Sequence, residues 1–295
     1  MRIRPIVGPV PDTGVRPAGG MEEIAEQLAA GGVAVLTGAG ISTESGIPDY
    51  RGATGRHRRH SPMTYQDFVS NEANRRRYWA RGYLGRRAIA GARPNAGHHA
   101  VQALCASGYV DAVITQNVDG LHQAAGTTDA VPLHGSLDRV ICLDCATIGP
   151  RDELDARLLA ENMEFPAAHD AAGLPVNPDG DIELPDDLVD TFRIVPCRHC
   201  GGVLKPYVVF FGENVPKPRI QHCFDLIDAA DSLLVLGSSL AVLSGLRFVR
   251  RAAKDGKPVS IINLGPTRGD DLAYAHAALP LGKALTELAE RLDIP

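Results

Sequence analysis

Two cysteine pairs carry the sharpest chemical signal in this chain. Cys142-Leu-Asp-Cys145 and Cys197-Arg-His-Cys200 each place two thiols one tight turn apart. One such pair is compatible with redox chemistry. Two pairs in a chain with reduced thiols describe a tetrahedral Zn²⁺ site with four thiolate ligands. Four protein ligands leave no open position, so the expected metal is structural, one ion per chain. Gly201-Gly202 after the second pair suits the turn. The 51 residues between the pairs exceed ordinary ribbon spacing, so the metal is expected to clamp the base of an inserted module. Cys105 and Cys223 lie in helical stretches and read as small core hydrophobes.

A second set of residues sits where apolar runs end. Val33–Thr37 runs into Gly38-Ala39-Gly40-Ile41-Ser42, a turn whose backbone N–H groups could approach a pyrophosphate. The full GxGxxG pattern fails, because Thr43 stands at the third glycine. His60 stands where an acidic residue would take the ribose hydroxyls, so a hydride-transferring dehydrogenase is not expected. Gly237-Ser238-Ser239 and Asn263 end two more apolar runs and offer hydroxyl and amide groups to phosphate or ribose. Thr115-Gln116-Asn117-Val118-Asp119-Gly120 ends a fourth. Two amides and a carboxylate are costly to bury unpaired and suggest a pocket for an amide-bearing ligand. Asp119 could alternatively cap the helix expected over Gly120–Ala125. His134, in Leu133-His134-Gly135-Ser136 between this pocket and the first cysteine pair, is the general-base candidate, with a reference pKa of about 6.5. His98, His99 and His122 fall in helical stretches and are weaker candidates.

These residues need a scaffold that brings strand ends together. Val33–Thr37, Val110–Thr115, Leu233–Gly237 and Val259–Asn263 read as buried parallel strands. Met21–Ala30, Ala96–Ser107, Gly245–Lys254 and Lys283–Leu292 read as helices between or after them. The alternation predicts an α/β fold, a doubly wound parallel sheet of Rossmann type with an inserted small zinc-binding domain. Ligands of such sheets bind outside the carboxyl ends of the strands. The expected nucleotide domain covers 20–134 and 206–295. The inserted module covers 135–205 with a further helical part within 52–94, and 1–19 is an N-terminal extension.

Composition agrees. With 295 residues, 44% hydrophobic and 22% charged, the chain can fill a sizeable core, which excludes disordered, collagen-like and disulfide-scaffold classes. A net charge of −5 gives no general attraction to nucleic acid or an anionic membrane. That figure conceals two opposed blocks. Residues 51–100 hold 11 Arg and two acids, whereas residues 146–196 hold 12 acids and three Arg. The basic block reads as a solvated helical face or as a surface facing an anion, and the acidic one as a surface insertion. No secretory signal or membrane span is visible, so the expected compartment is the cytoplasm and the expected state a monomer.

Taken together, Gly38 to Arg51 (GAGISTESGIPDYR), Thr115 to His122 (TQNVDGLH), Leu133-His-Gly135, the paired CxxC, Val208 to Glu213 (VVFFGE) and Gly237-Ser-Ser-Leu240 resemble the sirtuin family. The motifs occur in family order over about residues 20–292. The acidic insert, with Pro178-Asp-Gly-Asp181 and Leu204-Lys-Pro206, is similar to the class II branch. The resemblance implies an NAD-dependent protein lysine deacylase of deacetylase type, acting on acylated-lysine proteins. Gly38, Ala39 and Gly40 would cradle the phosphates, and Asp49, Tyr50 and Arg51 would form a loop over the nicotinamide ribose. Gln116, Asn117 and Asp119 would hold that ribose and the amide, while Ser238, Ser239, Asn263 and Leu281 would line the adenosine side. Ile41, Glu44, Pro48, Val118, Gly237, Leu264 and Gly265 complete the implied cofactor-binding set. Val209, Phe210, Phe211, Gly212 and Glu213 would form a strand against the substrate peptide. Asn117 and His134 would be catalytic. In the implied chemistry the acyl oxygen attacks C1′, nicotinamide leaves, and His134 helps the 2′-hydroxyl attack the imidate to give free lysine and O-acyl-ADP-ribose. Tyr50 stands where many sirtuins have Phe, Tyr207 where Asp is common, and Ser244-Gly245 where many deacetylases carry proline. Arg56, Arg58 and Arg59 replace the Tyr-x-x-Arg pair of the desuccinylase branch. Longer or lipoyl-type acyl groups and mono-ADP-ribosyl transfer therefore stay open.

Overall fold

A computed structural model describes residues 10, 12, 14–15, 17–52, 62–89 (backbone alone for 87–89), 91–165, 177 and 179–294. Most of the N-terminal extension, His60, Arg56, Arg58, Arg59 and Pro178 lie outside them.

Six parallel strands form the main sheet in the order β3-β2-β1-β7-β8-β9. They are β1 (Val33–Thr37), β2 (Val110–Thr115), β3 (Val131–Pro132), β7 (Ser232–Leu236), β8 (Val259–Ile262) and β9 (Ala275–Ala277). Strands β1, β7 and β8 are buried along their whole length, which is why they read as continuous β-branched and Leu-rich runs, not as alternating ones. Strands β3 and β9 escaped the sequence reading because two or three residues cannot display a pattern.

Helices cover both faces. Ile24 and Leu28 of α1 (Met21–Ala29), Val101 and Leu104 of α4 (Ala96–Ala106), and Leu285 and Leu288 of α10 (Leu281–Arg291) share one core. Cys223 and Ile227 of α8 (Lys217–Ala229), with Leu246, Phe248 and Val249 of α9 (Leu243–Lys254), form the other. The chain leaves β1 toward β2 on one side and returns with β7 on the other. The strand order thus reverses at β1/β7, where such sheets bind ligands.

A second sheet is antiparallel, in the order β5-β4-β6, built from β4 (Gly135–Cys142), β5 (Ile148–Pro150) and β6 (Leu204–Val208). Pro206 therefore pairs within the small sheet, so the boundary expected at 205/206 cuts through a strand. A third core joins this sheet to α2 (Tyr65–Ser70), α3 (Glu72–Ile89), α6 (Arg151–Glu161) and α7 (Asp186–Thr191), through Phe68, Trp79, Val140, Leu154 and Val189. Trp79 donates its indole N–H to the Leu204 carbonyl at 3.2 Å, and the Arg151 guanidinium stacks over the ring.

The opposed charge blocks meet inside this module. Arg81 of α3 is 5% exposed and pairs with Asp181 at 3.0 Å and with Glu183. Arg86 of the same helix reaches Asp138, Asp152 and Asp155. Gly85 lies between them, and a Cβ there would come within 2.3 Å of the Gly180 carbonyl. The missing side chain lets the acidic segment lie directly on α3. These arginines thus face acids of the same chain, not only solvent.

Candidate functional site

The four cysteines expected to bind metal converge. All four sulfurs lie within 4.8 Å of one another, with Cys142 Sγ 3.5 Å from Cys200 Sγ and Cys145 Sγ 3.8 Å from Cys197 Sγ. A tetrahedral zinc with sulfurs at about 2.3 Å has sulfur–sulfur edges of about 3.8 Å, so the donors fit that ion. Two matching turns build the cluster. The Cys142 carbonyl accepts from Ala146 N, and the Cys197 carbonyl from Gly201 N. Both residues after the second cysteine have positive φ, 57° at Ala146 and 75° at Gly201. Glycine takes that geometry without strain at Gly201, as the Gly201-Gly202 pair suggested. Asp144 ties the turns together by accepting from Val203 N at 2.8 Å. The tetrad is well separated in sequence logic from the polar strand ends, because it contributes no open ligand position to them.

The polar strand ends surround one cavity of about 1070 Å³. All the residues expected to contact cofactor line it except Ile41. Ile41 is 1% exposed and packs into the core beneath, while its N–H donates to the Gly38 carbonyl. The turn after β1 is a 3₁₀ helix (Ala39–Ser45), which rotates that apolar side chain inward.

The glycines of this turn have a reason that spacing alone did not reveal. Gly40 N donates to the Gly237 carbonyl at 2.9 Å. A Cβ on Gly40 would lie 2.7 Å from Gly237 Cα, and one on Gly38 the same distance from Ser238 Cβ. Gly237 itself has φ 61°. The turns after β1 and β7 therefore touch backbone to backbone, and the glycines permit that crossing as well as any approach of a phosphate.

The turn after β2 is joined to the turn after β1 by side chains. Asn117 Nδ2 donates to the Gly38 carbonyl at 3.1 Å and to Ser42 Oγ at 3.0 Å. Ser42 donates in turn to Asp119 Oδ2 at 2.7 Å. The other Asp119 oxygen accepts from Leu121 N at 2.9 Å, at the start of α5 (Leu121–Ala124). Asp119 thus serves both readings, as a pocket residue and as an acceptor at a helix start. Burial raises its pKa, against the pull of those donors. Gln116 reaches the Thr37 carbonyl and Ser238 Oγ. Ser42 was missed as a site residue; a hydroxyl just after GxG was the available signal.

His134 sits at the base of the cavity. Its Nδ1 lies 2.8 Å from the Gln116 carbonyl and its Nε2 lies 2.8 Å from Ser244 Oγ. A carbonyl only accepts, so Nδ1 carries the proton and Nε2 presents the lone pair. Burial, with smaller contributions from Arg219 and Arg247, pushes its pKa down to about 4. The imidazole is therefore neutral, and its basic Nε2 meets the Ser244 hydroxyl in the lining of the cavity. His122 instead bonds Thr37 Oγ1 at 3.0 Å beneath the strands and stacks edge-on with buried His98.

The remaining rim includes Val209–Glu213, which follows the end of β6 at Val208. Val209 N donates to the His134 carbonyl at 2.7 Å, and Glu213 N turns back to the Phe210 carbonyl. Gly212 has φ 78°. Glu213 Oε2 accepts from Phe210 N and pairs with buried Lys205 at 3.0 Å, which closes a local turn, while Phe211 makes an isolated parallel bridge with Thr64. These residues still line the cavity. On the opposite rim, Tyr50 meets Phe211 edge-to-face at 5.8 Å, with Pro48, Asp49 and Arg51 beside it. Desolvation raises the Tyr50 phenol well above its ordinary pKa, with Asp179 and Asp181 adding to the effect. Glu44 accepts from Gly282 N at the start of α10. Asn263, Leu264 and Gly265 follow β8, and Leu281 closes the far end.

The reversal-point cavity, its linked strand-end turns and the four-cysteine module define a nucleotide-binding α/β protein with a structural metal module. The chain belongs to the Sir2 family, whose model matches residues 38–244. It is 58% identical over 295 residues to NAD-dependent protein deacetylase 1 of Streptomyces coelicolor, covering all of this chain and 97% of that one. An NAD-dependent protein deacetylase of Bordetella bronchiseptica is 46% identical over 254 residues, 86% of this chain and 91% of its own. A solved structure of Sir2 with a p53 peptide and NAD⁺ superposes with a TM-score of 0.72 at 28% identity, covering 93% of this chain and 99% of that one. Sir2 bound to acetylated peptide gives 0.71 at 26% identity, with 93% and 99% covered. Among the described residues no helix is long and apolar enough to cross a membrane.

Proposed function

We propose that this chain is an NAD-dependent protein lysine deacylase of deacetylase type, which consumes NAD and releases nicotinamide and O-acyl-ADP-ribose. The observation that carries the reading is the neutral His134, whose basic Nε2 meets the Ser244 hydroxyl in the lining of the same cavity as Asn117 and Asp119. An enzyme that must activate a ribose hydroxyl needs a neutral base there.

In this reading the turns after β1 and β7 receive the pyrophosphate, and Ser238, Ser239, Asn263 and Leu281 take the adenosine. Gln116, Asn117 and Asp119 hold the nicotinamide side. Tyr50 and Phe211 flank the path of the acyl-lysine, and Val209 to Glu213 border the peptide. The zinc module fixes β4 and β6, and through β4 the position of His134 at its start.

The test is a coupled assay with purified protein, NAD and lysine peptides bearing acyl groups of increasing length. Nicotinamide and O-acyl-ADP-ribose are expected in equal amounts, and only when acyl-peptide is present. Labelled protein without loss of acyl groups would instead identify ADP-ribosyl transfer.

A further inference from the structure

His134 has both ring nitrogens occupied before any substrate arrives. Nδ1 donates to Gln116, so the only lone pair of the base is Nε2, and Ser244 Oγ holds it at 2.8 Å. Ser244 is the second residue of α9 and lines the cavity. The approach is built by its neighbour. A Cβ on Gly245 would lie 2.6 Å from Gln116 Oε1, so glycine there lets the first turn of α9 settle against the Gln116 side chain as it stands. The same Gln116 aligns the imidazole from the other side.

We infer that Ser244 is a proton relay between the ribose hydroxyl and His134 in the second step of deacylation. This rests on the reading of His134 as the base. The ribose O–H bond breaks and its proton passes to Ser244 Oγ. The Ser244 O–H bond breaks and that proton passes to Nε2, while the ribose oxygen uses its released electron pair to attack the acyl carbon. Ser244 ends as a hydroxyl and His134 as an imidazolium. A hydroxyl is suited to this, because it donates to the neutral ring and accepts from the protonated one without moving. The imidazolium is then held by two oxygen acceptors, Gln116 O and Ser244 Oγ, in charge-assisted bonds. Proline or alanine at this position offers neither.

The experiment compares full-length wild type, Ser244→Ala, Ser244→Thr and His134→Ala on the acyl-lysine peptide that wild type turns over fastest. Nicotinamide–NAD exchange reads the first step, and O-acyl-ADP-ribose formation reads the second. Ser244→Ala is expected to keep exchange within about twofold and to lose product formation by about 10²-fold, the low end for a positioned proton acceptor. Ser244→Thr, which retains the hydroxyl, is expected to restore most of it. Product formation at the wild-type rate in Ser244→Ala overturns the relay, since the hydroxyl is then merely displaced. Equal loss in the Ala and Thr variants overturns it in favour of a packing role. If His134→Ala forms product normally, the base assignment itself falls. A wild type that turns over no acyl-peptide defeats both.

Discussion

Ser42 Oγ donates to Asp119 Oδ2 at 2.7 Å, tying the turn after β1 to the turn after β2 across the mouth of the cavity. The two residues are 77 positions apart and meet only because their strands are parallel neighbours. The contact supports a buried carboxylate whose charged form is penalised by desolvation.

That penalty gives the first prediction. A carboxyl whose folded pKa is raised adds stability below its unfolded pKa and loses it as pH rises through the folded value. At pH 7 Asp119 is therefore a cost to folding. Asp119→Asn keeps an oxygen for Leu121 N and should raise the melting temperature at pH 7, with the gain vanishing as pH falls below about 4. NAD-dependent turnover should fall in the same variant. A lower melting temperature at pH 7 would contradict the burial argument.

The acid behaviour of His134 gives the second. Its folded pKa, pushed down to about 4 by burial, lies below the reference of about 6.5. The neutral ring thus contributes stability above about pH 6.5, and that contribution is lost as pH falls toward 4. The free-enzyme kcat/KM profile should show no His134 limb between pH 5 and 8. His134→Ala should reduce product formation by about 10²–10⁴-fold and leave NAD binding nearly intact, as read by calorimetry. A pH-rate limb near 6.5 that disappears in this variant would refute the low pKa.

Metal analysis supplies the third. Wild type should contain about one zinc per chain. Cys197→Ala should lose it, and with it the folding of the three-stranded sheet, since Cys142 closes β4 and Cys197 lies just before β6. Loss of near-ultraviolet ellipticity and activity together is the expected outcome. A metal-free, fully active variant would remove the structural role.

The charge blocks supply the fourth. Arg81→Met should destabilise by about 3 kcal/mol, because Asp181 loses the guanidinium that holds it inside the module. Asp138→Asn, whose side chain is 64% exposed in its contact with Arg86, should cost under about 1 kcal/mol. Urea melts of the two variants compare these directly.

The zinc tetrad and four strands of the parallel sheet, β1, β2, β7 and β8, were legible because their determinants are local. Two CxxC turns need only four residues each, and a strand buried on both faces must be apolar along its length. The helix starts at Met21 and Ala96 also emerged from local pattern. The three-residue β9 did not, nor did the turn at Val209–Glu213, which depends on the Lys205–Glu213 pair and the positive φ of Gly212.

The sequence by itself determined the family, the metal ligands and the set of polar residues at strand ends, since residue type and order carry that information. The tertiary structure decided how those residues meet. It placed Ser42 against Asp119, turned Ile41 into the core, and made Gly40 and Gly237 cross. It also paired a basic block with an acidic one a hundred residues away. The tautomer of His134 is the clearest case. No property of histidine chooses which nitrogen holds the proton; the Gln116 carbonyl and the Ser244 hydroxyl do, and only the folded chain brings them to the ring.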